Sequence, residues 1–133
     1  NNYFGMSANE YKIAKAMSGE KGFPKVYGEG THEGKPYIIL EKLGPSIDDL
    51  FMRRFGEFSL LTVMNIGISL INLIKKMHEK GFVHCDLKPD NILIGIDNEG
   101  ASNVNQLHLI DFGISKAYLD DQGNHVPMIR GHR

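Results

Sequence analysis

The sequence predicts an α+β fold in which helices and small antiparallel strand pairs alternate along the chain. Apolar residues recur at helical spacing in two stretches, Asn9 to Met17 and Ser59 to Lys80. Short runs rich in β-branched and aromatic residues lie between and after these helices and are typical of strands. The composition suits a folded domain, since 41% of the 133 residues are hydrophobic and 23% are charged.

The first predicted elements are a helix and a strand pair. From Asn9 to Met17 apolar residues alternate with charged ones, and Gly19 follows as a stop signal, so a short amphipathic helix is expected. Lys25 to Tyr27 and Tyr37 to Lys42 are predicted strands, joined by a turn through Gly28 to Gly34.

Two further helices are predicted after this strand pair. Ser46 and Asp49 have the spacing of a capping box, which predicts a short helix through Arg53. From Ser59 to Lys80 the apolar residues are too dense for a half-exposed helix and too numerous for a strand. We therefore expect a buried helix there, with Gly81 as its left-handed cap.

A strand hairpin is expected after the long helix. Ile92 to Ile94 and Leu107 to Ile110 are short apolar runs that can pair with each other. The polar stretch from Asp97 to Gln106 is predicted to be the loop that joins them.

Composition excludes several classes of protein. The formal net charge of −1 provides no general cationic field for nucleic acid or anionic membranes. A single cysteine, Cys85, cannot form an intrachain disulfide, which favours the cytoplasm or the nucleus. The longest apolar region, Leu60 to Ile74, contains polar residues and is shorter than the ~20 apolar residues of a membrane span, so no span is expected. Residue 1 is not methionine, and we expect the chain to be a piece of a longer protein.

Two motifs carry the chemical information. The first is the run His84-Cys85-Asp86-Leu87-Lys88-Pro89-Asp90-Asn91, and the second is Asp111-Phe112-Gly113. They match the protein-kinase signatures HRDLxxxN and DFG, except that Cys85 replaces the arginine. Each motif also lies beside an expected strand, as the match requires.

The residue types in these motifs suit phosphoryl transfer, in which catalysis consists mostly of positioning and charge neutralisation. Asp86 is placed to orient an incoming hydroxyl and accept its proton. Asn91 and Asp111 supply an amide oxygen and a carboxylate, which are hard ligands for Mg²⁺. Lys88 would bring a positive charge to the transferred phosphoryl group, and Gly113 is expected to let the backbone turn after the metal ligand.

The chain resembles eukaryotic protein kinases, and among them the casein kinase I family most closely. The resemblance rests on the two motifs, on the run Leu43-Gly44-Pro45-Ser46-Ile47-Asp48-Asp49-Leu50-Phe51, and on His125-Val126-Pro127. It implies a protein-kinase-like two-lobe fold, truncated at both ends. Residues 1–43 would form the back part of the small lobe and the hinge, and residues 44–133 the first half of the large lobe with the start of the activation segment.

The resemblance also implies roles in nucleotide binding. Glu10 matches the helix glutamate that pairs with a phosphate-binding lysine, and Leu40 looks like the gatekeeper. The segment from Glu41 to Leu43 would be the hinge, whose backbone groups meet the adenine. Leu93 and Ile110 would line the adenine pocket from below. Strand core remains the alternative role for these apolar residues.

Asp48 and Asp49 carry two open interpretations. Either carboxylate could face the ribose of a bound nucleotide. Capping of the helix that begins after Ser46 explains at least one of them as well.

The resemblance implies an ATP- and Mg²⁺-dependent serine/threonine protein kinase with protein substrates, with a family preference for acidic or prephosphorylated ones. The sequence contains no Gly-rich loop and no V-A-I-K-like lysine before Glu10, so we expect the 133 residues alone to be inactive. A pseudokinase scaffold and a small-molecule phosphotransferase of kinase-like fold are the alternatives. Lys88-Pro89 and the complete Asp-Phe-Gly favour the protein kinase.

Overall fold

The computed structural model describes residues 7–54 and 56–127. Helices and short antiparallel strands alternate along these residues, which confirms the α+β class. The helices are α1 (Ala8–Met17), α2 (Ile47–Arg53) and α3 (Leu60–Glu79), and a 3-10 turn spans Pro89–Asn91. The strands are β1 (Val26–His32), β2 (Lys35–Leu40), β3 (Phe82–Val83), β4 (Ile92–Ile96), β5 (Ser102–Leu109) and β6 (Lys116–Ala117).

Helix α1 and the β1–β2 hairpin form the N-terminal part. The hydroxyl of Ser7 accepts a hydrogen bond from the Glu10 amide and caps α1. The hairpin pairs from Val26 opposite Leu40 to His32 opposite Lys35, so its turn is much tighter than the expected one from Gly28 to Gly34. The turn residues Glu33 and Gly34 both have positive φ, at 49° and 74°, a geometry that matches the twist of paired strands.

The segment after β2 leads into α2, and the predicted capping box is confirmed. The Ser46 hydroxyl accepts from the Asp49 amide, while the Asp49 carboxylate accepts from the Ser46 amide. Two backbone bonds, Gly44 N–H to Ile94 O and Ile94 N–H to Pro45 O, then fix this segment on β4. The predicted division of the chain at residue 43 stays a prediction.

The second hairpin, β4–β5, is confirmed, but its loop is shorter than expected. Strand β5 begins at Ser102, so the second half of the polar stretch predicted as a loop to Gln106 is strand. The turn is closed by Asp97, whose Oδ1 accepts from the amides of Glu99 and Ala101 at 2.9 and 2.8 Å. Because the Asp97 side chain provides hydrogen-bond acceptors for the amides of the turn, the turn can be short and the strands can extend up to it.

The prediction of a buried α3 is wrong for the described residues. Among its residues only Leu73 and Met77 are buried, whereas Leu60 is 75% exposed and Ile71 66% exposed. The described elements cover one side of the helix, where it contacts β3 and β5. Helix α3 has 20 residues, and an 18-residue window within it has a mean hydropathy of 1.4. It therefore has the length and composition to cross a membrane, so the expectation that no segment qualifies is not confirmed. Core helices of water-soluble domains have the same composition.

One hydrophobic cluster joins α1 to the later elements. It contains Ile13 and Met17 of α1, together with Phe23, Leu109 and Phe112. A backbone bond from the Leu109 amide to the carbonyl of Gly22 adds to this connection. Gly22 is needed there, since its φ is 89° and a Cβ would lie 2.0 Å from the Leu73 side chain.

Candidate active site

The first motif forms a loop that is anchored by His84. This histidine is 3% exposed and follows β3. Its Nδ1 lies 3.1 Å from the Asp86 amide, which can only donate, so Nδ1 accepts. Its Nε2 then carries the proton and donates to Ile110 O at 2.8 Å. The imidazole therefore joins the loop of residues 84–91, the predicted catalytic loop, to the end of the β4–β5 hairpin.

Asp86, Lys88 and Asn91 lie together. The Asn91 Nδ2 donates to the Asp86 carbonyl at 2.9 Å and lies 3.4 Å from Asp86 Oδ2. The Lys88 Nζ is 3.8 Å from the same Oδ2. The half-buried carboxylate is thus oriented by an amide and a cation, both supplied by the motif predicted to be catalytic.

Cys85 is in an unusual backbone conformation. Its φ of 69° lies in the left-handed region, which L-residues other than glycine rarely adopt. The side chain is exposed, and its Sγ lies 3.8 Å from the carbonyl of Val83. A neutral thiol therefore stands where the kinase motif has a guanidinium group.

Asn91 and Asp111 lie at the open end of the β4–β5 hairpin. Ile92 pairs with Leu109, and the Ile110 amide donates to Asn91 O at 3.0 Å, so the residues just before β4 and just after β5 are neighbours. Because the Asn91 Nδ2 is used by Asp86, its Oδ1 is the atom available for a cation. An amide oxygen and an exposed carboxylate on residues that adjoin across the hairpin end are donor types that fit Mg²⁺.

The turn after Asp111 differs from the expectation. Asp111 itself adopts a left-handed φ of 65°, whereas Gly113 does not have a positive φ. The Gly113 amide donates to Asp111 Oδ1 at 3.1 Å, and a Cβ on this glycine would lie 3.1 Å from the same oxygen. A side chain here would therefore push the Asp111 carboxylate by a few tenths of an ångström, so glycine favours the close approach of the carboxylate and is not needed for backbone freedom.

The side chain of Phe112 determines the orientation of the turn that follows Asp111. Its ring is 5% exposed, packs edge-on against His84 with centroids 5.9 Å apart, and stacks against Phe23 at 6.3 Å. With the phenylalanine inside, the adjacent Asp111 carboxylate is turned outwards. The hydrophobic core thus determines the orientation of the candidate metal ligand.

Glu10 of α1 faces the same region as Asp111. Burial raises the pKa of the Glu10 carboxyl, and the negative charge of Asp111 raises that pKa further. The two acids contribute to a small cavity of about 50 Å³, which is also lined by Ala14, Pro24, Leu40, Ile110 and Phe112. Two carboxylates beside one cavity favour a cation between them.

The predicted nucleotide-contacting residues are only partly brought together. Leu40, Ile110 and Glu10 line the small cavity, whereas Leu93 and the segment from Glu41 to Leu43 do not. The Glu41 Oε2 accepts from the Lys25 amide at 3.1 Å, so this side chain is used to fix the segment to the start of β1. Leu93 is half-buried and bridges to Ser46.

The two acids of α2 have different surroundings. Asp49 forms the capping box, which supports the capping interpretation for that residue. Burial and the nearby Asp90 raise the pKa of the Asp48 carboxyl. Asp90 directly precedes Asn91 in the sequence, so Asp48 lies beside the predicted catalytic loop. Asp48 therefore remains the acid of this pair that is available for a ribose.

Sequence reasoning missed two polar residues of the site, Asn9 and Ser115. Asn9 Nδ2 donates to Ser115 O at 2.9 Å, and Ser115 Oγ donates to His84 O at 2.8 Å. The one available signal was a serine two residues after the Asp-Phe-Gly motif, which by itself predicts no partner.

Comparison with known proteins agrees with this geometry. Residues 5–129 match the family described as the protein kinase domain. The chain belongs to the protein kinase family. Over 120 residues, 90% of the chain, it is 38% identical to casein kinase I homolog RAG8 of Kluyveromyces lactis. Over the same length it is 37% identical to casein kinase I homolog 2 of Saccharomyces cerevisiae. The resemblance to casein kinase I is thereby confirmed, and the chain spans 22% of the length of these relatives.

Proposed function

We propose that this 133-residue chain is part of an ATP-dependent serine/threonine protein kinase. The observation that carries the proposal is the placement of Asp86 within reach of both Asn91 and Lys88. Asn91 in turn adjoins Asp111 at the open end of the β4–β5 hairpin. A base, a cation and two metal-ligand types at one place are what phosphoryl transfer needs.

The side chains divide the work as follows. Asp86 orients the attacking hydroxyl of the protein substrate and accepts its proton at the carboxylate. Lys88 places positive charge beside the transferred group. Asn91 and Asp111 would hold Mg²⁺ through Oδ1 and the carboxylate, and the bound ion supplies neutralisation of phosphate charge.

Glu10 has a positioning role in this proposal. Its carboxylate shares a cavity with Asp111, and burial, followed by the like charge of Asp111, raises the pKa of the Glu10 carboxyl. A lysine ammonium between the two would remove this repulsion, in agreement with the glutamate–lysine pair that the family uses on phosphates. Leu40, Leu43, Leu93 and Ile110 would then surround the adenine.

The substrates are proposed to be proteins that present serine or threonine hydroxyls, with acidic or prephosphorylated sequences preferred. The similarity to casein kinase I homologues supports this class. The proposed location remains the cytoplasm or the nucleus.

A transfer assay tests the function. The full-length protein is incubated with γ-labelled ATP, Mg²⁺ and casein, and the labelled product is hydrolysed for phosphoamino acid analysis. We expect phosphoserine or phosphothreonine, and no transfer when Mg²⁺ is chelated. ATP binding without transfer would indicate a pseudokinase, and label appearing only on a small molecule would indicate the other kinase-like class.

A further inference from the structure

A chain of hydrogen bonds outside the two motifs connects α1 to the catalytic loop. Asn9, on α1, donates from Nδ2 to the backbone carbonyl of Ser115 at 2.9 Å. Ser115 is 1% exposed and donates from Oγ to the carbonyl of His84 at 2.8 Å. Ser115 therefore uses two different groups, its carbonyl for Asn9 and its hydroxyl for His84.

The chain reaches Asp86 through His84. The His84 ring accepts from the Asp86 amide at 3.1 Å, while the His84 carbonyl receives the serine hydroxyl. Glu10 follows Asn9 directly on α1. The bonds therefore run between the element that carries Glu10 and the loop that carries Asp86.

Directional bonds matter here because the buried side chains of α1 are apolar. Ile13 and Met17 attach α1 to the core, but apolar packing alone leaves a helix free to shift by small amounts. A hydrogen bond weakens steeply when its angle changes. A buried hydroxyl also costs free energy unless it is paired, so the Ser115 bond resists exchange with other arrangements.

We infer that Asn9 and Ser115 are positioning residues, which hold α1 and its Glu10 in register with the loop that carries Asp86. The inference rests on the proposed kinase function for its effect on rate. Neither residue contacts a reacting group. Both act through backbone carbonyls, Asn9 on Ser115 and Ser115 on His84.

A double-mutant cycle in the full-length protein tests the effect on catalysis. Asn9→Ala, Ser115→Ala and the double variant are compared with Asn72→Ala and Ser69→Ala, which remove an exposed asparagine and a half-buried serine from α3. We expect kcat/KM for ATP to fall about tenfold in each single variant, with thermal stability measured alongside. The double variant should fall little further, because the two bonds act in series. Losses that multiply in the double variant, or equal losses in the α3 controls, would overturn the inference.

Hydrogen exchange tests the connection without any catalysis. Asn9→Ala should speed exchange of the Asp86 amide, which bonds His84, and Ser115→Ala should speed exchange of the α1 amides. A change confined to the neighbourhood of each substitution, or uniform over the whole protein, would overturn the inference. If the protein transferred no phosphate at all, the proposed function would fail, and the exchange pattern would still decide whether the two elements are connected.

Discussion

At the residue scale, two positions in the candidate site have a left-handed backbone conformation. Cys85 and Asp111 have φ values of 69° and 65°, which cost about 1–2 kcal/mol for a residue with a Cβ. Such conformations persist where the surroundings hold them. Here His84 bonds the Asp86 amide on one side, and Phe112 is locked in the core on the other.

Cys85 leads to a prediction about regulation. Many kinases use an arginine at this position to bind a phosphate on the activation loop, and a neutral thiol cannot make that bidentate contact. If the full-length protein transfers phosphate as proposed, it should therefore keep its kcat/KM, within about twofold, after phosphatase treatment that leaves the loop bare by mass spectrometry.

A large loss of activity that follows the loss of loop phosphate would contradict this prediction. It would imply that another basic residue binds the phosphate. Arg130 and Arg133 are the candidates in the sequence, and both lie outside the described residues.

Single residues also show what the sequence could and could not reveal. Asp86, Lys88 and Asn91 were predictable as neighbours because they share one loop and a spacing that the chemistry requires. Asn9 and Ser115 were not, because they are 106 positions apart and the acceptor is a backbone carbonyl, which any residue presents.

At the element scale, the β4–β5 hairpin carries both candidate metal ligands and a buried histidine. His108 is 5% exposed, and its Nδ1 has no hydrogen-bond partner within the described residues. Burial lowers the pKa of this imidazole, although the charge of Glu41 opposes the effect. The unfolded chain therefore binds a proton at a pH where the folded hairpin does not.

This difference predicts acid sensitivity of the hairpin. A lowered folded pKa gives stability that is present above the unfolded value, near 6.5, and is lost as the pH falls towards the folded pKa. We expect the Tm of the full-length protein to drop between pH 7.5 and 5.5, and His108→Gln to reduce that drop by a few degrees. His78→Gln, at an exposed site, is the control. An equal drop in wild type and His108→Gln would show that His108 does not titrate in this way.

The boundaries of helices and strands could be predicted better from capping residues than from residue composition. The Ser46–Asp49 box was found from spacing because the interaction is local. The tight β1–β2 turn and the early start of β5 were missed, since strand length depends on the partner strand. The apolar density of α3 predicted a helix correctly but not its burial, because burial depends on the elements that pack around it.

At the scale of the whole molecule, the parts of the candidate site come from distant regions of the chain. Glu10 belongs to α1, whereas Asp86 and Asp111 follow β3 and β5, and the core around Phe112 joins these regions. The sequence alone predicted the fold class and the kinase resemblance. It did not predict how α1 is tied to the catalytic loop, because that connection is made by tertiary contacts.

The assignment of Asp86 as the catalytic base is the central claim, and one substitution tests it most directly. Asp86→Asn keeps the size of the side chain and its contact with Asn91 while removing the proton acceptor. We predict that kcat of the full-length protein falls by about 10²–10⁴-fold, with binding of ATP and Mg²⁺ retained. The matched variant Asp121→Asn, at an exposed aspartate, should leave kcat unchanged. A near-normal kcat in Asp86→Asn would contradict the account.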